Sequence, residues 1–196
     1  MATMTKAALR KQLLAARRGV ADEVRAAEAR MLSVRLEPVV NSGTVCAYVP
    51  IGTEPGSIEM LDMLLRRSAR VLLPVARTTA DNTPLPLRWG EYRPGTLIAG
   101  RWGLREPPGP RLPASALADA SLVLVPALAV DRSGVRLGRG QGFYDRSLKG
   151  LNPQARLVAI VRDEELVDEL PSEPHDVRMT HALTPKRGVI ALPIRE

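Results

Sequence analysis

The sequence predicts an α/β protein: a single domain with a central, mostly parallel sheet flanked by helices and a loop-rich lobe over the cleft. Two strand-helix-strand patterns and the size of the chain carry that expectation. TVCAYVP (44–50) is an apolar run of strand length, IEMLDMLLRR reads as a helix, and RVLLP (70–74) is a second strand, an order that favours a parallel pair. SLVLVPALAVD (121–131) and RLVAIV (156–161) repeat the pattern around a short helix near Tyr144 to Lys149. With 196 residues and 45% hydrophobic content the chain can bury one core, so residues 1–196 are read as one unit.

Ahead of the first strand, residues 5 to about 36 read as two helices broken near Gly19. Thr5 is suited to cap the first, and Leu9, Leu13 and Leu14 give it a one-sided stripe. The second, from Asp22 to Arg35, places Val24, Ala27, Met31 and Val34 on one apolar face. GTEPGS (52–57) is a turn whose Ser57 caps the third helix. Residues 76–113 hold much of the proline and glycine and form the lobe or flap, with LPLRW (85–89) as a candidate edge strand. Strands 44–49, 70–73 and 121–125 each stop at a proline, so their loops gather at the carboxyl edge, where open α/β sheets bind ligands.

Formal net charge is +7 and comes almost wholly from arginine, Lys6, Lys11, Lys149 and Lys186 being the lysines, so the expected partners are anionic. Aromatics are 3% of the chain, which leaves little of the stacking platform that a single-strand nucleic-acid binder uses. The opening MATMTKAALRKQLL has no signal-peptide core, and no 18-residue apolar run exists, which argues against export and against membrane spanning. The single cysteine, Cys46, suits a reducing compartment, so a cytoplasmic location is expected. The two histidines, His175 and His181, have no zinc-ligand spacing.

GVRLGRGQGFYDR (134–146) is the segment with chemistry in it. Gly138, Gly140 and Gly142 alternate, which lets the backbone turn tightly and bring N–H groups to an anion. Arg136 and Arg139 add permanent forked cations, the following helix aims its positive end at the loop, and Asp145 supplies a hard oxygen suited to Mg²⁺. The loop is neither a Walker A sequence nor GxGxxG.

VPALAVDRSGVRLGRGQGFYDRSL (125–148) resembles the signature of the 5-formyltetrahydrofolate cyclo-ligase family. Lys6 and Arg10, YVPIGTEPGS (48–57), WGLREP (102–107) and LPSEPHDVRMT (170–180) extend the resemblance over nearly the whole chain. It implies a single α/β domain that uses Mg²⁺ and ATP to convert the small molecule 5-formyltetrahydrofolate to 5,10-methenyltetrahydrofolate; a monomer is expected. By resemblance, ATP is held by Lys6, Arg10 and the run Arg136, Leu137, Gly138, Arg139, Gly140, Gln141, Gly142, Phe143 and Tyr144. Val49 and Glu54, with Phe143 and Tyr144, line the folate pocket; Asp145 and Asp176 take the metal; Arg139 and Asp145 are the catalytic pair. Gln141 stands where some relatives carry lysine, and Phe143 replaces the first tyrosine of the usual pair. The alternative carried forward is a basic nucleic-acid-binding protein on the same scaffold.

Overall fold

The computed structural model describes residues 4–193. Four helices, α1 (Lys6–Arg18), α2 (Asp22–Leu36), α3 (Ile58–Arg67) and α4 (Phe143–Ser147), accompany twelve strands. In chain order the strands are β1 (Thr44–Cys46), β2 (Arg70–Val75), β3 (Arg88–Glu91), β4 (Ile98–Ala99), β5 (Arg105–Glu106) and β6 (Ala120–Pro126). They continue as β7 (Ala129–Asp131), β8 (Arg136–Leu137), β9 (Arg156–Ile160), β10 (Leu166–Val167), β11 (His181–Thr184) and β12 (Gly188–Ala191).

The main sheet has seven strands in the order β12-β11-β9-β6-β1-β2-β3. Its interior pairs, β11/β9, β9/β6, β6/β1 and β1/β2, are parallel, and the two edges, β3 and β12, are antiparallel. This is the expected mostly parallel sheet, with LPLRW contributing to edge strand β3. Side chains alternate between faces along each strand. Val45, Val71, Leu73, Leu122, Leu124, Val158 and Ile160 pack with Leu32, Leu36, Met60, Leu61 and Leu64 of α2 and α3. Cys46, Leu72, Val123, Val125, Leu157 and Ala159 pack on the other face with Trp89, Leu117 and Leu148.

Thr5 and Ser57 cap as expected, their hydroxyls accepting from Ala8 N at 3.2 Å and Met60 N at 3.3 Å. The face assigned to α2 is a correction: Val24, Met31 and Val34 are exposed, Ala27 with them, and Leu32 and Leu36 are fully buried. The inward line runs Arg25, Glu28, Ala29, Leu32 and Leu36, and its first turns hold the core through an ion pair, Arg162 Nη2 to Glu28 Oε1 at 2.8 Å. A polar inward half is invisible to a hydrophobic pattern.

Two further pieces were not anticipated. The hairpin β11/β12 extends the main sheet, and β10-β7-β8 forms a separate three-stranded sheet on which Leu9 and Leu13 of α1 pack. The turn between β7 and β8 is built around Asp131, 2% exposed. Its carboxylate accepts from Ser133 N and Oγ at 2.8 Å, Val135 N at 2.9 Å and Leu170 N at 3.0 Å. Asp131→Ala would strand the buried Val135 and Leu170 N–H groups, and we expect a loss of about 3 kcal/mol in a urea unfolding curve.

Candidate functional site

A cleft of about 530 Å³ opens at the carboxyl ends of β1, β2 and β6, within the range of small-molecule sites. Its walls come from the loops after those strands, from α1 and from the glycine loop into α4, and every residue named by resemblance lines it. Sequence positions as distant as Lys6, Glu54, Arg139 and Asp176 therefore meet in one cavity.

The charges in the cleft are paired. Lys6 Nζ donates to Asp176 Oδ2 at 2.9 Å and Glu173 Oε1 at 3.0 Å. Arg136 Nη2 donates to Asp145 Oδ1 at 2.6 Å, and Arg139 Nε to Glu54 Oε1 at 2.9 Å. Arg10 Nε donates to the Gly138 carbonyl at 2.9 Å and its guanidinium lies against Gly140. Each cation expected to meet phosphate thus rests, without ligand, on a carboxylate or a loop carbonyl.

The same contacts set the proton affinities. Burial opposes the charge on Lys6, yet its hydrogen bonds to Asp176 and Glu173 outweigh this and raise its pKa. Burial pushes the Asp176 carboxyl up, but the Lys6 contact and the Glu173 N–H hold it below the usual range. For Glu54 burial wins: its pKa is raised although Arg139 and the Ile51 N–H both favour the carboxylate.

Two glycines of the loop need their freedom, Gly140 at φ 97° and Gly142 at φ 70°. A Cβ on Gly142 would lie 2.5 Å from Arg146 Nη1. Gly138 has no positive φ, so the alternation of three glycines overstates the need. The following helix is also shorter than the expected 144–149: α4 is five residues, followed by a 3₁₀ turn, so its dipole adds little and the field at the loop is that of the arginines.

Unpartnered buried donors mark where a ligand would sit. Arg17 Nη1, Arg136 Nε and Nη1, and the Tyr144 hydroxyl are buried without a hydrogen-bond partner, and all three residues line the cleft. Sequence reasoning missed two contributors. Arg17, 1% exposed, reads in sequence as one of many helix arginines. Trp102, 51% exposed, stands at the cleft wall in the left-handed region (φ 56°), its ring centroid 6.1 Å from that of Phe143 and Arg101 over its face. A non-glycine residue held there stores about 1–3 kcal/mol, a cost that clusters at functional sites.

Taken together, the parallel sheet and the arginine-rich glycine loop at its carboxyl edge define an α/β protein with a cleft built for an anionic small molecule. The model of the 5-formyltetrahydrofolate cyclo-ligase family matches residues 2–185, and the chain belongs to that family. It is 60% identical to the 5-formyltetrahydrofolate cyclo-ligase of Mycolicibacterium smegmatis over 98% of this chain and 100% of that one. Identity to the Escherichia coli K12 protein of the same name is 30%, over 76% of this chain and 82% of the relative. The solution structure of 5,10-methenyltetrahydrofolate synthetase from Aquifex aeolicus superposes with a TM-score of 0.77 at 25% identity, covering 98% of this chain and 95% of that one. These relatives lend no support to the nucleic-acid alternative. Among the described residues no helix is long and apolar enough to cross a membrane.

Proposed function

We propose that this chain catalyses the ATP-driven closure of 5-formyltetrahydrofolate to 5,10-methenyltetrahydrofolate, releasing ADP and phosphate. The observation that carries this reading is the set of ion pairs in one cleft, Lys6–Asp176, Arg136–Asp145 and Arg139–Glu54, with unpartnered buried donors lining the same cleft, at the family's signature loop. A formamide carbonyl is a poor electrophile, so activation is needed before N10 can attack. Transfer of the γ-phosphoryl group to the formyl oxygen supplies it: the oxygen gains phosphorus, ADP leaves, N10 adds to the carbon and loses its proton, and phosphate departs with the formyl oxygen and takes up that proton.

For that chemistry the protein must mainly position groups and supply positive charge. Lys6, Arg10 and the run from Arg136 to Tyr144 would hold ATP, and Arg139 would meet the transferring phosphoryl group. Phosphate and metal would take over the partners that the cations and carboxylates now give each other. Among the described residues no three candidate metal ligands stand together, so the donor set is two carboxylates, Asp145 and Asp176. That set fits Mg²⁺ as it is usually bound, by one or two carboxylates with the substrate phosphates completing the shell. The ion would neutralise charge on the triphosphate. We take the protein to be cytoplasmic and monomeric, in keeping with its one thiol, buried and pushed up to about 12.

On the folate side, Val49 and Glu54 would receive the pterin, whose paired N–H groups suit a carboxylate acceptor. Glu54 accepts such bonds only when ionised, and its raised pKa means that it protonates sooner than an ordinary glutamate as pH falls. Folate affinity should therefore fall on acidification before the usual carboxylate range is reached, and Glu54→Gln should flatten the profile in calorimetric titrations. The sign for folding is opposite: with a raised folded pKa, the Glu54 contribution is present at low pH and is lost as pH rises through that value. Phe143 and Trp102 offer ring faces at the mouth; Trp102→Ala should raise KM about tenfold with kcat nearly unchanged, the scale of one lost stacking contact.

The test of the function itself is near-ultraviolet absorbance of purified protein with 5-formyltetrahydrofolate and Mg²⁺, with and without ATP. The more conjugated methenyl product gives an ATP-dependent rise. A flat trace from folded protein at high enzyme concentration would count against the assignment.

A further inference from the structure

Helix α1 lays three cations along the cleft, Lys6, Arg10 and Arg17, all on one helical face. Eleven residues separate the first from the last, roughly 16 Å of helix rise. Arg10 stands at the glycine loop, where phosphate is expected, and Lys6, one turn away, pairs with Asp176 and Glu173. Arg17 stands at the other end, close enough to Tyr48 and Glu54 for its charge to act on both.

Arg17 differs from the other two in what is left over. Its Nε and Nη2 donate to Glu165 Oε1 at 2.7 Å and Oε2 at 2.8 Å, and Nη2 also donates to the Ala127 carbonyl at 2.6 Å. The guanidinium is thus fixed in plane, its charge is balanced by Glu165, and Nη1 alone has no acceptor. A balanced cation whose only idle group is one NH2 is a poor phosphate ligand and a good donor to a neutral carbonyl oxygen. Tyr48 does not compete for that role, because its hydroxyl already donates to the Pro55 carbonyl at 2.6 Å. Glu54, which lines the same cleft within reach of the Arg17 charge, is an acceptor for N–H groups. Acceptor next to donor is the complement of a cyclic amide edge, in which amino and ring N–H groups adjoin a carbonyl.

We propose that Arg17 is a specificity-determining residue of the folate pocket: its free Nη1 donates to the 4-oxo oxygen of the pterin while Glu54 accepts from the adjoining N–H groups. The inference rests on the reading that the Glu54 pocket receives the pterin. A 4-amino ring presents a donor where Arg17 also donates, so the site rejects it.

The experiment is calorimetric binding, without ATP, of 5-formyltetrahydrofolate and of its 4-amino-4-deoxy analogue. The wild-type protein should prefer the 4-oxo ligand by about tenfold or more, the cost of one buried donor left unmet. Arg17→Lys keeps the charge beside Glu165 but removes the fork, and should cut the preference about tenfold by weakening the 4-oxo ligand selectively, leaving the share that Glu54 supplies through the ring N–H which the 4-amino analogue lacks. If that variant unfolds, the double variant Arg17→Met with Glu165→Met removes the pair without stranding a charge and should behave the same way. A preference as large in the folded variant as in the wild type, or none in the wild type, overturns the inference alone. Glu54→Gln protein that binds both ligands as the wild type does would sink the pocket reading, and this inference with it.

Discussion

Arg139→Ala should lower kcat by about a hundred- to a thousandfold, the loss seen when one preorganised donor to developing charge is removed. The thermal midpoint should hardly move. The side chain is 44% exposed and its ion pair with Glu54 lies at the mouth of the cleft, where such pairs contribute little to stability. Arg139→Lys should recover part of the rate, because a point charge replaces a fork. A variant that keeps kcat but loses stability would assign Arg139 to holding the loop instead.

Glu165→Ala should be among the most damaging single changes to stability, at about 3–5 kcal/mol, because it leaves the Arg17 guanidinium buried and uncompensated. Glu165 is 4% exposed and also accepts from the Arg162 N–H at 2.8 Å, so three donors lose their acceptor at once. For a chain of this length the thermal midpoint should drop by about 10 °C. Replacing both partners with methionine should cost far less than Glu165→Ala, and comparing the two in urea separates a stranded charge from a lost contact.

Much of this molecule can be read from local pattern. β1, β2, β6 and β9 are apolar runs whose period of two matches the alternation of the two core faces, and the capping hydroxyls of Thr5 and Ser57 announce their helices. The glycine loop is legible because turn chemistry and charge coincide within a dozen residues. What escaped depends on partners remote in sequence. Arg17 is committed by Glu165, 148 positions away, and Glu28 by Arg162, 134 positions away; neither pairing leaves a trace in hydrophobic periodicity. α2 therefore looked as though it packed through Val24 and Val34, when an ion pair does that work at its first turns. Trp102 lies in WGLREP, and nothing in that segment says that the chain enters the left-handed region there and presents the indole at the cleft.

The central claim is that the formyl oxygen is activated by phosphorylation within this cleft. It is tested most directly by turning over 5-formyltetrahydrofolate labelled with ¹⁸O in the formyl group, in the presence of ATP and Mg²⁺, and analysing the phosphate released. The account predicts one ¹⁸O in each phosphate formed, in step with ADP and the methenyl product. Unlabelled phosphate accompanied by labelled water would contradict it, since the oxygen would then have left without ever bonding to phosphorus.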